Sequence, residues 1–465
     1  MDIIPVPLTD QQKPIDTIRT RTCFILDKRL DEDTLRSALD NLVRNHWRKL
    51  GARLVLRSKD KLLEYHLPKA FDDDYRLFNW SSSEDEKPFK ELTSLLDVSA
   101  EEGVSLLPPF NKIDGLFTPS NWPTSREDEA PDAPLLYVHL ALSSDATVVV
   151  TSLPHAVADQ YGLSNIMKAW LGLADGRDPP PMVGSDDDPL PKSKPYAEFP
   201  KQEVFRKGHM RVRRKGEFFF LVLGFIPDLI VHQKETPHIV FFPRPLIRSL
   251  VEQHSNTLRE KYGPDVRISE GDIITGILTK VRAYPPTCWR CPADLQAVNL
   301  RGRHANLSDG ERDGFIHNGL YYSSARFRID ASTPLSEIAY RNRQAINEVL
   351  NDKEIDIAMA VTREMVQRKQ PSHICEPFDR SYSLSNWCGA WKALDFSSAI
   401  NAEKERPAAK LLVLGQSFLG NKPHRYHSSV MCKTDEGFYC DFSAPCKAVE
   451  RMHEYLAKDP LLKDF

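Results

Sequence analysis

Apolar residues recur along this chain at two spacings, every second position and every third to fourth, and the two kinds of stretch alternate. Arg21 to Leu26 reads as a strand. Leu35, Leu39, Leu42, Val43 and Trp47 then keep helical spacing behind Asp31 or Asp33 as the cap, and Gly51 ends that helix. Arg53–Leu56 and Lys61–His66 read as a hairpin around Ser58-Lys59-Asp60. Residues 80–132 are polar, acidic and dotted with proline, with one helical stretch at Pro88 to Leu96. Two apolar strands follow, Leu135–Leu142 and Thr147–Leu153, and then helical spacing at Leu163, Ile166, Met167, Trp170 and Leu171.

Between Asp178 and Pro200 the pattern breaks. Seven prolines and the acidic run Asp186-Asp187-Asp188 mark a linker. The same grammar then restarts. Strands are predicted at Ile239–Phe242, Ala297–Leu300, Leu320–Ile329, Lys410–Leu414, His427–Met431 and Phe438–Phe442. Helices are predicted at Pro245–Tyr262, Asp272–Arg282, Ser336–Leu350 and Val449–Leu456. The chain therefore divides into an N-terminal domain, residues 1–176, a crossover, 177–236, and a C-terminal domain, 237–465. Two domains also suit a length of 465 residues.

Charge and composition remove several function classes. Lys+Arg 62 against Asp+Glu 65 leaves a net charge of -3, which argues against nucleic acid as a partner. Met1-Asp2-Ile3-Ile4-Pro5 lacks a basic start and an apolar core, so no secretory signal is evident and a cytoplasmic location is expected. Eight scattered cysteines read as free thiols in a reducing compartment. The crossover contains one unusual stretch, residues 206–231. There Arg206, Lys207, Arg211, Arg213, Arg214 and Lys215 precede the apolar run Phe218 to Val231. The run is too short to span a bilayer, but a basic segment beside an apolar one can dock on an anionic membrane surface. A solvated basic face followed by a core element is the reading preferred on pattern alone.

The candidate chemistry centres on Leu153-Pro154-His155-Ala156-Val157-Ala158-Asp159, where an apolar strand gives way to a helix. A histidine with a carboxylate four residues later suggests a base oriented by Asp159. The spacing is common by chance, and the plain alternative is a histidine closing a strand end beside a salt-bridged aspartate. Cys288-Trp289-Arg290-Cys291 has zinc or redox spacing, but no second ligand pair accompanies it, so it reads as packed thiols and no metal site is expected. No phosphate-cradling glycine loop and no G-x-S-x-G elbow is found.

Several stretches together, in order, resemble the BAHD acyltransferases, the CoA-dependent transferases of plant and fungal secondary metabolism, and their fungal branch most. They are Pro7-Leu8-Thr9-Asp10, Leu50-Gly51-Ala52-Arg53-Leu54 with Leu63-Glu64-Tyr65, the His155-x-x-x-Asp159 signature, and Trp170. Further on come Ser269 to Thr275, Ala297-Val298-Asn299-Leu300-Arg301-Gly302-Arg303, His317-Asn318-Gly319, Ser385-Asn386-Trp387 and Asp395-Phe396-Ser397-Ser398-Ala399. The resemblance implies an α/β fold of two similar chloramphenicol-acetyltransferase-like domains, each a mixed sheet flanked by helices, with the active-site channel between them.

It also implies an O-acyltransferase that uses acetyl-CoA or another acyl-CoA as co-substrate, holds no permanent cofactor and works as a monomer. The acceptor would be a hydroxyl of a small secondary metabolite, a terpenoid alcohol for example. His155 would be the general base. Ser385 and Trp387 would donate to the oxyanion. Asp159 would pair with Arg301 and support the loop, which replaces the dyad that spacing suggests, and Asp395 would be structural. Three places depart from the family. Gln160 stands where a glycine is expected, Ser397-Ser398-Ala399 replaces Gly-Trp-Gly, and Pro154 replaces the first histidine of the related peptide-condensation enzymes. A non-acylating binding protein or a condensation catalyst on the same fold is the alternative.

Overall fold

The computed structural model describes the chain except residues 94, 96–97, 99–102, 189, 191, 193, 284–291, 305–306, 308–311, 331, 373–375, 378, 401–408, 419–426 and 464. Cys288-Trp289-Arg290-Cys291 lies outside the described residues.

The first large sheet is built on Thr147–Pro154, a strand buried along its whole length. Its β-branched valines and threonines fit a sheet covered on both faces. Arg19–Leu26 pairs with it antiparallel on one side and Tyr137–Leu142 on the other. Asn79–Glu84 closes one edge in parallel with Tyr137–Leu142. Leu411–Phe418 closes the other edge, antiparallel to Arg19–Leu26. A seven-stranded sheet forms the second layer, in the order Leu320–Arg326, Pro292–Asn299, Arg380–Asn386, His427–Lys433, Gly437–Pro445, Glu235–Pro243 and Ser105–Leu107. Its pairings are mixed, with Pro292–Asn299, Arg380–Asn386 and His427–Lys433 parallel. A small antiparallel sheet joins Asp2–Pro5, Leu63–Leu67 and Arg53–Leu56.

The two large sheets exchange strands. Ser105–Leu107, from the N-terminal half, edges the second sheet. Leu411–Phe418, from the C-terminal half, edges the first. Each large sheet thus takes an edge strand from the far side of the crossover, and the strand Glu235–Pro243 of the second sheet begins inside residues 177–236.

Helices cover the sheets where the apolar spacing places them. Glu32–Asn41 starts on Asp31, whose carboxylate accepts from the Thr34 N–H at 2.7 Å. Gln160–Ala174 lies against it, with Trp170 fully buried and its indole N–H donating to the Leu35 carbonyl. In the other half Arg244–Tyr262, Glu270–Ala283 and Leu335–Val349 pack on one another.

The crossover is ordered by contacts to the C-terminal half. Phe199, Val204, Met210 and Val212 pack on Ile357, Val361 and Met365 of the helix Asp352–Gln367. Its basic stretch is no solvated face throughout. Arg211 is buried between Glu376 and Glu217, Arg213 is buried on Glu376, and Arg206 pairs with Glu354. The apolar run is no core element either. It forms a surface helix, Glu217–Val231, with Leu221 and Gly224 against the body. Eight large apolar side chains between Phe218 and Val231 remain exposed. Fifteen residues reach about 22 Å, short of the roughly 30 Å of a bilayer core. Among the described residues no helix is long and apolar enough to cross a membrane.

Candidate active site

The strand Thr147–Pro154 ends where its backbone leaves the sheet, and the turn that follows carries His155. The histidine N–H donates to the Ile18 carbonyl at 2.9 Å, so the turn is fixed to the neighbouring strand's approach. Its side chain is half-buried and lines a cavity of about 520 Å³. Residues of both halves line the same cavity, among them Gln160 and Tyr161 from the first and Gln296, Ser385, Trp387 and His427 from the second. The Nδ1 atom of His155 is buried without a hydrogen-bond partner in the structure.

Asp159 caps the helix Gln160–Ala174 by accepting from the Gly162 N–H at 2.7 Å. The same carboxylate holds Arg301 in a two-pronged pair, 2.9 and 3.0 Å, and accepts from the Gly319 N–H at 3.0 Å. Both partners of the ion pair are buried. With its oxygens spent on Gly162, Gly319 and Arg301, the carboxylate anchors the turn to the strand end at Asn299–Arg301, and a His–Asp dyad receives no support from the geometry. Arg301 is held in turn by the carbonyls of His317 at 2.6 Å and Phe315 at 3.4 Å, and its guanidinium lies 4.9 Å from the Phe315 ring.

The glycine expected at position 160 is Gln160, a buried side chain within 3.3–3.4 Å of the Thr22 hydroxyl. The close backbone approach falls two residues later. A Cβ at Gly162 would stand 1.8 Å from the Ile316 carbonyl oxygen, which no side chain can meet.

Ser385 and Trp387 sit at the end of the strand Arg380–Asn386, on the cavity wall. The Trp387 indole N–H donates to Ser385 Oγ at 2.8 Å. The pair therefore offers one hydroxyl proton to the cavity, polarised from behind, where two separate donors were expected. Cys388 also lines the cavity, but burial pushes its thiol up to about 12, so it is no thiolate nucleophile at neutral pH.

Asp395 lies outside the cavity. Its carboxylate accepts from the Ser397 N–H at 2.9 Å, and that contact and the Ser397 hydroxyl hold it below the usual carboxylate range. Phe396 packs near Phe24, and the Ala399 carbonyl accepts from Asp31 N–H at 2.7 Å. The segment thus fastens the C-terminal half onto the first helix cap.

Two features escape any local pattern. One is a balance of charge. Among the cavity-lining acids, Asp159 is matched by Arg301, Asp272 by Arg343 and Glu270 by Lys433. Arg303 and Lys392 line the cavity as well, both exposed, and neither has an acidic partner among the described residues. Among the described residues these two cavity-lining cations thus lack an acidic partner. The other feature is a buried polar cluster behind the histidine turn, in which Asp10, Lys49, His317 and Asn318 meet. Burial pulls the Lys49 ammonium down to about 8, against the attraction of Asp10.

No family model matches the chain. The transcriptional regulator calD of Penicillium decumbens is 26% identical over 489 residues, 99% of this chain and 96% of that protein. The acetyltransferase adrJ of Penicillium roqueforti is 27% identical over 395 residues, 80% of this chain and 77% of that protein. Among solved structures, F. sporotrichioides TRI101 complexed with coenzyme A and T-2 superposes with a TM-score of 0.67 at 14% identity, covering 100% of this chain and 99% of that one. Vinorine synthase does so with a TM-score of 0.58 at 12% identity, covering 97% and 92%. At these identities the structural likeness is one of fold.

Proposed function

This chain has the two-domain fold of the BAHD-type acyltransferases and is similar over most of its length to fungal acetyltransferases, and from that premise we infer that it is an acyl-CoA-dependent acyltransferase. The acyl group we propose is acetyl, and the acceptor a hydroxyl of a small secondary metabolite such as a terpenoid alcohol. The observation that carries the reading is the place of His155 on a cavity that both halves line and that Arg303 and Lys392 also line.

In the proposed reaction His155 takes the proton of the acceptor hydroxyl as its oxygen attacks the thioester carbonyl. The tetrahedral oxyanion accepts from the Ser385 hydroxyl, which the Trp387 N–H polarises. Collapse breaks the carbon–sulfur bond, and the departing thiolate recovers the proton from His155. The depressed acidity of Cys388 supports direct transfer, since this thiol, the one that lines the cavity among the described residues, is poorly suited to carry the acyl group. Arg303 and Lys392 supply charge for the phosphates of the acyl-CoA.

The apolar outer face of Glu217–Val231 supports peripheral contact with a membrane, where an apolar acceptor would collect. Exposed Arg214 and Lys215 at its start and Lys234 beyond its end suit anionic headgroups.

The experiment supplies acetyl-CoA with a panel of alcohols and identifies acetylated products by mass. It is repeated with S-acetyl-pantetheine, which lacks the nucleotide phosphates. We expect Arg303→Ala and Lys392→Ala to raise KM for acetyl-CoA several-fold and to leave KM for the truncated thioester unchanged. Equal effects on both thioesters would remove the phosphate assignment. No acetylated product with any alcohol, with CoA still bound, would favour a non-acylating binding protein on the same fold.

A further inference from the structure

The histidine turn is held at both ends by one tripeptide. At its far end the Gly319 N–H donates to Asp159. At its near end the Asn318 amide donates to the His155 carbonyl at 2.8 Å. The second proton of that amide goes to Asp10 Oδ1 at 2.9 Å, as does the Asn318 backbone N–H. Both neighbours of the amide nitrogen are acceptors, so its orientation is fixed by the network. His317 donates through Nδ1 to the other Asp10 oxygen at 2.8 Å. On its far side His317 Nε2 lies 3.0 Å from the Gly184 carbonyl, which also accepts from Lys49 at 2.8 Å. Asp10, His317 and Asn318 are all buried.

Three distant parts of the chain meet here: the opening turn, the crossover at Gly184 and the segment 317–319. None of the three touches the cavity. A buried carboxylate that receives three hydrogen bonds is a rigid post. We propose that Asp10, acting through Asn318, is a positioning residue that sets the direction in which His155 leaves its turn. The Ile18 carbonyl fixes the His155 N–H and Asn318 fixes its carbonyl, so both peptide groups beside the histidine Cα are held. The imidazole can then sit in the cavity with no hydrogen bond to Nδ1, because its direction comes from the backbone. A base displaced by about an ångström from its productive position can lose about two orders of magnitude in rate.

The inference rests on His155 acting as the base. The test uses the full chain, three single variants and one double variant, measured beside His155→Ala. Asn318→Ser keeps a hydroxyl for Asp10 but is too short to reach the His155 carbonyl. We expect its kcat to fall by about 10²-fold. Its KM for acetyl-CoA should stay within about twofold of the parent, since thioester binding is untouched. Asp10→Asn keeps an acceptor for Asn318 and should retain most of the parent's kcat, whereas Asp10→Ala should resemble Asn318→Ser. Combining Asp10→Ala with Asn318→Ser should cost little more than either alone, because both break one link. Parent-like kcat in Asn318→Ser, or an additive double variant, would overturn the positioning role. If His155→Ala itself keeps full turnover, the base assignment fails and the clamp falls with it. If only Asn318→Ser keeps turnover, the clamp alone fails. Should Asp10→Ala not fold, Asn318→Ser and Asp10→Asn still decide.

Discussion

At the scale of single residues, the histidine turn separates two polar side chains that stand four apart in the sequence. His155 faces the cavity, while Asp159 gives its carboxylate to a helix cap, an arginine and a backbone N–H. Removing one partner of a buried ion pair leaves the other charge uncompensated. Arg301→Ala should therefore lower unfolding free energy by on the order of 3 kcal/mol, read by chemical denaturation. A loss under half a kcal/mol would mean that Asp159 finds another cation or takes a proton. Ser385→Ala tests the oxyanion side. We expect kcat to drop by about 10²-fold at unchanged KM, with Trp387→Phe costing less because the hydroxyl remains. The Asp159–Arg301 pair joins residues 142 apart, and no local pattern in the chain reveals it. Spacing alone suggests a dyad, and it took the likeness of several distant stretches to assign the aspartate elsewhere.

At the scale of elements, apolar periodicity reads well where a strand or helix buries one face, and poorly elsewhere. Thr147–Pro154, Arg244–Tyr262 and Glu270–Ala283 lie close to the stretches their spacing predicts. The missed strands Asn79–Glu84 and Arg380–Asn386 are rich in serine, and ladder pairing defines them where apolar alternation does not. Helices Phe110–Phe117 and Asp352–Gln367 also went unread. Glu217–Val231 is the opposite case, since its composition predicts burial and the structure exposes it. Replacing Phe219, Ile226 and Ile230 by serine should release the protein from vesicles containing phosphatidylserine and leave turnover on a soluble acceptor unchanged. Retention that survives the substitutions, or that persists on neutral vesicles alone, would point away from this helix as a docking surface.

At the scale of the whole molecule, the halves are joined by strand exchange and by a polar contact between their sheets. Gln416, on the strand that the C-terminal half lends to the first sheet, donates to Asp441 of the second at 3.1 Å. Burial pushes the Asp441 carboxyl up to about 7. The folded chain thus binds this proton more tightly than the unfolded chain does. Stability from this group is complete below the ordinary carboxylate range and is lost as pH rises from about 4 through about 7. Asp441→Asn should be more stable than the parent at pH 8, by on the order of 2 kcal/mol, with the advantage fading by pH 5. An advantage that does not change with pH would locate the titration elsewhere.

The joined halves line one cavity, and the role proposed for His155 on its wall is proton transfer. The direct measurement is thiol release from acetyl-CoA by His155→Ala beside the parent, using an alcohol that the parent acetylates, with CoA affinity measured on the same samples. We expect turnover to fall by about 10²-fold or more while CoA binding stays within a few-fold. Equal turnover in the variant, with CoA bound as before, would contradict the claim.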